Sequence, residues 1–171
     1  MEHIQLFKNK LNRQVGQNEN ITFDFFIAFS RMEFALKHTG YAIGDRRRNA
    51  MADWDRFGED NNEVFQEKLK NPENKLLIEA ANYLFVSPPK KLKFRNNELS
   101  WENRPPIGNK SLKEMLLIIR AIRNNLFHGS KRLAIVEESR NRDLLNFGLI
   151  ILNECLNIDQ NVRQKFLDDL G

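Results

Sequence analysis

From residue 20 onward, apolar positions return with the period of an α-helix, and the interruptions fall at residues that end helices. Ile21, Phe25, Ala28, Phe29, Met32 and Leu36 recur behind a capping Asn20 or Thr22. Phe23, Phe26, Ile27 and Phe34 widen that surface, which predicts a central helix buried on more than one side. Gly40, after His38-Thr39, is placed to supply the left-handed residue that ends it. Between Arg46 and Lys70 the pattern predicts two shorter helices parted around Gly58-Glu59-Asp60-Asn61-Asn62. Trp54 and Phe57 anchor the first; Val64, Phe65 and Leu69 anchor the second. Asn71-Pro72-Glu73 reads as the next helix start, with a capping amide, a proline at the first helical position and an early acid. Leu76, Leu77, Ala80, Ala81, Leu84 and Phe85 form its expected buried stripe, and Ser87-Pro88-Pro89 its stop.

Over residues 91–102 the period shortens to two. A turn at Asn96-Asn97 would pair Phe94 with Leu99 and Leu92 with Trp101, a small β-hairpin. Helical spacing then resumes. Ser111 and Glu114 form a capping box ahead of Leu112, Met115, Leu116, Ile119, Ile122 and Leu126, and His128-Gly129 closes that helix. A further helix covers roughly 137–157 with Leu144, Leu145, Phe147, Leu149, Ile151, Leu152 and Leu156. A short last helix, capped by Asp159, runs to about Leu170. The expected architecture is an all-α helical bundle with one small β-hairpin insertion around residues 91–102. Residues 1–19, polar with scattered apolar positions, read as an N-terminal arm, and residues 20–171 as a single helical domain.

Composition narrows the functional classes. The chain has 171 residues, 41% of them hydrophobic and 13 of them Phe, enough for one buried core and incompatible with intrinsic disorder. Lys and Arg number 27 against 23 Asp and Glu, so a mild excess of +4 permits a polyanionic partner without demanding one. Cys155 is the single cysteine, which leaves no intrachain disulfide and no cysteine-based zinc site. Met1-Glu2-His3-Ile4-Gln5 lacks the apolar run of a signal peptide. The longest apolar stretch, Leu144 to Leu156, is broken by Asn146, Asn153 and Glu154 and is too short to span a bilayer. The expectation is a soluble, cytoplasmic protein with no membrane partner.

No glycine-rich phosphate loop and no Gly-x-Ser-x-Gly elbow occurs, and His3, His38 and His128 show no metal-ligand spacing. Asp53, Asp55, Glu59 and Asp60 cluster, but they read as a solvated acidic helix face. No metal and no cofactor is therefore expected. The informative segment is Ile119 to Gly129. About 100° per residue puts Arg120, Asn124 and His128 on one polar stripe, opposite Leu116, Ile119, Ile122 and Leu126. Arg123 lies about 140° from His128 on an ideal helix, so a groove between helices or subunits, or a frayed last turn, is needed to unite them. Chemically the set suits a phosphodiester. Guanidinium binds phosphate oxygens at two points, and imidazole takes or gives a proton near neutral pH.

Arg123-Asn124-Asn125-Leu126-Phe127-His128 resembles the Arg-polar-x-x-x-His motif of the HEPN superfamily (higher eukaryotes and prokaryotes nucleotide-binding domains), which stands late in a helix of an all-α bundle. The resemblance covers six residues and implies a metal-independent endoribonuclease with a toxin or phage-defence role. Bacterial toxins, abortive-infection proteins and the nuclease domains of RNA-targeting CRISPR effectors share the family. On this reading Arg123 takes the motif arginine, Asn124 the polar position after it, and His128 the motif histidine. These are the candidate catalytic residues. RNA is the implied partner, cleaved by attack of a ribose 2′-hydroxyl on its own 3′-phosphate. One motif histidine per chain argues for a homodimer, because separate acid and base groups then come from symmetry. An antitoxin or nucleotidyltransferase protein is a further expected partner. The alternative reading is a non-catalytic interaction or nucleotide-binding module, such as a regulatory subunit of a defence system.

Other residues are secondary candidates for substrate binding. Arg120 shares the motif helix. Arg31 and Glu33 edge the central helix and either line the same groove or pair with each other. Arg47, within Arg46-Arg47-Arg48, is placed to hold an RNA phosphate or to solvate a loop. Lys90, Lys91, Lys93 and Arg95 decorate the hairpin and read as charges that protect its edges from strand pairing.

Overall fold

A computed structural model describes residues 19–44, 49–127 and 135–168. The expected N-terminal arm over residues 1–19 lies outside these residues but for its last position, as do Arg46-Arg47-Arg48, His128 and Gly129.

In chain order the elements are α1 (Glu19–His38), β1 (Ala42–Ile43), β2 (Met51–Ala52), α2 (Trp54–Asp60), α3 (Asn62–Lys70) and α4 (Lys75–Val86). They continue with β3 (Lys91–Arg95), β4 (Glu98–Glu102), α5 (Leu112–Phe127), α6 (Ile135–Ile158) and α7 (Gln160–Leu167). The described residues are thus mostly helical with two small antiparallel hairpins, β1–β2 and β3–β4. None of these helices is long and apolar enough to cross a membrane.

Local chemistry sets most of the boundaries. Gly40 ends α1 with φ at 95°, and the Tyr41 amide donates back to the Leu36 carbonyl at 3.0 Å, closing the helix in a left-handed turn. Ser111 Oγ accepts from the Glu114 amide at 3.3 Å, and Asp159 Oδ1 from the Val162 amide at 3.0 Å, so both predicted caps form. The β3–β4 register pairs Phe94 with Leu99 and Leu92 with Trp101, as the alternation requires. Asn96 and Asn97 supply the two positive φ angles, 51° and 64°, that a tight two-residue turn needs.

Two boundaries differ from expectation. The first short helix begins at Trp54, not near Arg46, because Met51 and Ala52 pair with Ile43 and Ala42, and Asp53 then caps. The next helix begins at Lys75. Asn71 Oδ1 accepts from the Glu73 amide at 3.0 Å, a side-chain turn that holds Pro72 and Glu73 outside the helix.

The core runs between α1, α4, α5 and α6, with Phe25, Phe29, Met32, Leu36, Leu84, Phe85, Met115, Ile119 and Leu152 fully or nearly buried. α4 packs along α6, α2 along α5, and α1 against both α6 and α7. Two glycines permit the closest approaches. A Cβ at Gly58 would stand 2.7 Å from the Lys113 backbone, and one at Gly148 would stand 2.7 Å from the Phe25 ring. The central helix is not buried all round, however. Phe23 is 62% exposed and Ile27 47%, so the side of α1 away from Phe25 and Phe29 faces outward; Leu76, in the expected stripe of α4, is 68% exposed.

Candidate functional site

The polar segment of α5 divides into residues with different structural tasks. Arg120 Nη1 donates to Asp55 Oδ1 on α2 at 3.1 Å. Lys113, two turns earlier, reaches Glu59 at 2.6 Å and Asp55 at 3.6 Å. The hydrogen bond that Lys113 donates to Glu59 leads in holding the ammonium above its usual pKa, joined by the Coulomb pull of both carboxylates. Asp53 caps α2 through the Arg56 amide, and Asp60 pairs with Arg56 at 3.6 Å. Asp55 and Glu59 are therefore the acidic half of an α2–α5 ion-pair network, Asp53 is a helix cap, and Asp60 pairs within α2. Among the described residues no group of three His, Cys, Asp or Glu side chains is arranged to hold a metal.

Arg123 occupies a different setting. Its Nη1 donates to Asn124 Oδ1 at 3.1 Å, and its guanidinium carbon lies 5.6 Å from the Phe29 ring centroid. Phe29 stacks in turn on Trp54, centroids 5.1 Å apart and planes at 26°. The planar cation thus rests against an aromatic pair contributed by α1 and α2, a contact that steadies it by about 0.5–1 kcal/mol. Arg123 is half-buried and Asn124 exposed, so the pair stands where an anion can reach it. Asn125 is turned elsewhere. Its Nδ2 donates to the Lys90 carbonyl at 2.8 Å, tying the root of the β3–β4 hairpin to α5. Arg140 on α6 holds the same connection through the Pro88 carbonyl at 2.8 Å.

The remaining sequence candidates fall apart spatially. Arg31 does not pair with Glu33. Its Nε donates to the Phe166 carbonyl at 2.7 Å, and its Nη2 to the carbonyls of Lys165 and Asp168, so it closes the C-terminal end of α7. It also lies over the Phe34 ring at 4.5 Å. Arg31 stands two positions after Phe29, which puts them about 160° apart around α1 and removes Arg31 from the Arg123 side. Glu33 is half-buried one turn beyond Phe29 and enters no hydrogen bond or ion pair among the described residues. Arg47 and His128 lie outside the described residues.

The structure therefore unites Arg123 with Asn124, assigns Arg120 and Arg31 to structural contacts, and adds three residues that sequence reasoning missed: Phe29, Asp55 and Asn125. Only Asn125 carried a local signal, being an amide between two motif positions. An open groove of about 530 Å³, lined by Leu76, Leu77, Leu149 and Ile150, lies toward the start of α4, about 16 Å of helical rise from the hairpin root. Comparison with protein-family models, with curated proteins and with solved structures finds no match.

Proposed function

We propose that this chain is a metal-independent endoribonuclease of HEPN type, acting in a toxin or phage-defence role as a homodimer. The observation that carries the reading is the Arg123–Asn124 pair. A guanidinium supported from behind by Phe29 and bonded laterally by Asn124 is a planar cation held in place to meet a phosphate. His128, the motif histidine, follows Asn124 by four positions in the sequence.

The chemistry follows from those groups. The ribose 2′-oxygen attacks the adjacent phosphorus, its proton passing to a neutral His128 imidazole. The bond from phosphorus to the 5′-oxygen breaks, and a protonated His128 of the other protomer supplies the proton that oxygen needs. Arg123 stabilises the charge that builds on the non-bridging oxygens, and Asn124 keeps the guanidinium aimed. The products are a 2′,3′-cyclic phosphate and a 5′-hydroxyl.

The test is purified protein with structured and single-stranded RNA in EDTA, with the product ends identified. Cleavage is expected, and His128→Ala and Arg123→Ala are each expected to lower the rate by at least about a hundredfold. Cleavage abolished by EDTA, or unaffected by either substitution, overturns the mechanism. The internal engagement of Arg120 and Arg31 favours one second reading, a non-catalytic interaction or nucleotide-binding module. Binding of RNA with no cleavage of any substrate selects it.

A further inference from the structure

The β3–β4 hairpin has a face the core does not use. Leu92 and Trp101, paired near its root, are half-buried. Phe94 and Leu99, the next pair on the same face, are 66% and 62% exposed. The opposite face carries Lys91, Lys93 and Arg95 with Glu98, Ser100 and Glu102 across from them. Arg95 pairs with Glu102 at 3.5 Å, whereas Lys91 and Lys93 form no ion pair among the described residues. With Lys90 included, the segment has four cations against two carboxylates.

We infer that this hairpin is an arm for single-stranded RNA, with Phe94 as a stacking platform for a base and Lys91 and Lys93 as phosphate contacts. Two observations choose that occupant. An exposed aromatic on one face and the Lys91 and Lys93 cations on the other fit the two-sided chemistry of a single strand laid across the edge of the ribbon, whose bases stack and whose backbone is anionic. Two exposed apolar side chains fall well short of the roughly 800 Å² per partner that a stable protein contact buries, which excludes a second copy as the natural occupant. The root of the hairpin is bonded to Asn125, which stands about 160° around α5 from Arg123, so the arm offers a surface of its own, apart from the Arg123 guanidinium. Each five-residue strand extends about 16 Å, so the arm spans more than one phosphate. The inference rests on the RNA reading given above, but not on cleavage.

The experiment separates the two. Full-length protein is titrated by fluorescence anisotropy against a short uridine-rich RNA in which every ribose is 2′-O-methylated, so that it cannot be cut, and against a blunt duplex of equal length. Wild-type protein should prefer the single strand, and Phe94→Ala should weaken that binding about tenfold. Phe94→Tyr, which keeps the ring, should bind as wild type, and Phe94→Leu, which keeps only apolar bulk, should not. Lys91→Gln and Lys93→Gln should each lower the salt dependence by about one counterion. Unchanged binding in Phe94→Ala or Phe94→Leu overturns the proposal, and so does a wild-type protein that binds neither RNA. Sedimentation is run in parallel: a dimer that Phe94→Ala splits, with RNA affinity intact, makes the arm a protein contact and overturns the proposal. Binding with the Phe94 signature but no cleavage of unmodified RNA leaves the arm standing and removes the ribonuclease reading. Cleavage with no Phe94 effect does the reverse.

Discussion

Arg120 and Asp55 meet at 3.1 Å across the α2–α5 contact, so the first arginine of the polar segment is satisfied by a carboxylate within the fold. The guanidinium of Arg123, three residues on, lies against an aromatic ring and an amide. Two arginines of one helix thereby acquire separate roles.

Substitution should separate them in the laboratory. Arg120→Gln is expected to cost about 0.2–1 kcal/mol in urea denaturation, because both partners are close to half-exposed, and to leave RNA cleavage near wild type. Arg123→Gln should do the opposite. A large loss of cleavage in Arg120→Gln at unchanged stability would return Arg120 to the substrate.

Arg31→Ala should destabilise the fold by about 1–3 kcal/mol, since it removes charge-assisted bonds to carbonyls at the end of α7 and uncovers the Phe34 ring. Limited proteolysis should first clip the C-terminal segment. Cleavage activity per folded molecule should not change, and stability equal to wild type would refute the capping role.

Cys155 is buried, and burial pushes its thiol up to about 12 from an ordinary 9.0. Its raised pKa fixes the sign of the pH effect. Below about 9 the thiol is protonated in both folded and unfolded chains, and its contribution is complete. From there to about 12 the unfolded chain loses the proton while the folded chain keeps it, so stability falls by up to about 1.4 kcal/mol per pH unit. Urea denaturation across this range should show a shallower decline for Cys155→Ala than for wild type. The native protein should also resist thiol reagents until it unfolds.

Gly148→Ala places a methyl 2.7 Å from the fully buried Phe25 ring. The expected result is a loss of about 1–3 kcal/mol by thermal or urea unfolding, in spite of alanine's better helix propensity. A stabilised variant would show that the α1–α6 contact has slack.

What could be read from the sequence was local. The caps at Ser111 and Asp159, the end of α1 at Gly40 and the β3–β4 register each depend on residues within a few positions of one another. The errors arose where partners are distant. Apolar residues at 23, 25, 26, 27, 28 and 29 wrap most of a helix, and the packing of α6 and α7, with Trp54 of α2, decides that Phe25 and Phe29 go inward while Phe23 remains exposed. Leu76 fitted the stripe of α4 equally well, but the facing surface does not extend over it. The β1–β2 pair escaped notice because two-residue strands carry no alternation to detect. At the site, Arg123 and Asn124 are neighbours in the chain and were legible together, whereas Arg120 finds its carboxylate 65 positions away and Arg31 its carbonyls about 135 away. Charge in the sequence announces a cation; it does not announce which internal acceptor will claim it.

The missing side chain at Gly58 has an effect far from where it sits. It allows α2 to press on the backbone of α5 at Lys113, while Arg123 rides about 15 Å further along the same rod. α5 is in this sense a lever with its fulcrum at Lys113, and a slight tilt there is magnified at the guanidinium. A methyl group at residue 58 would thus disturb the aim of Arg123 without altering a single charge, and where catalysis depends on placement to within an ångström, loosening the pivot is as damaging as blunting the tip.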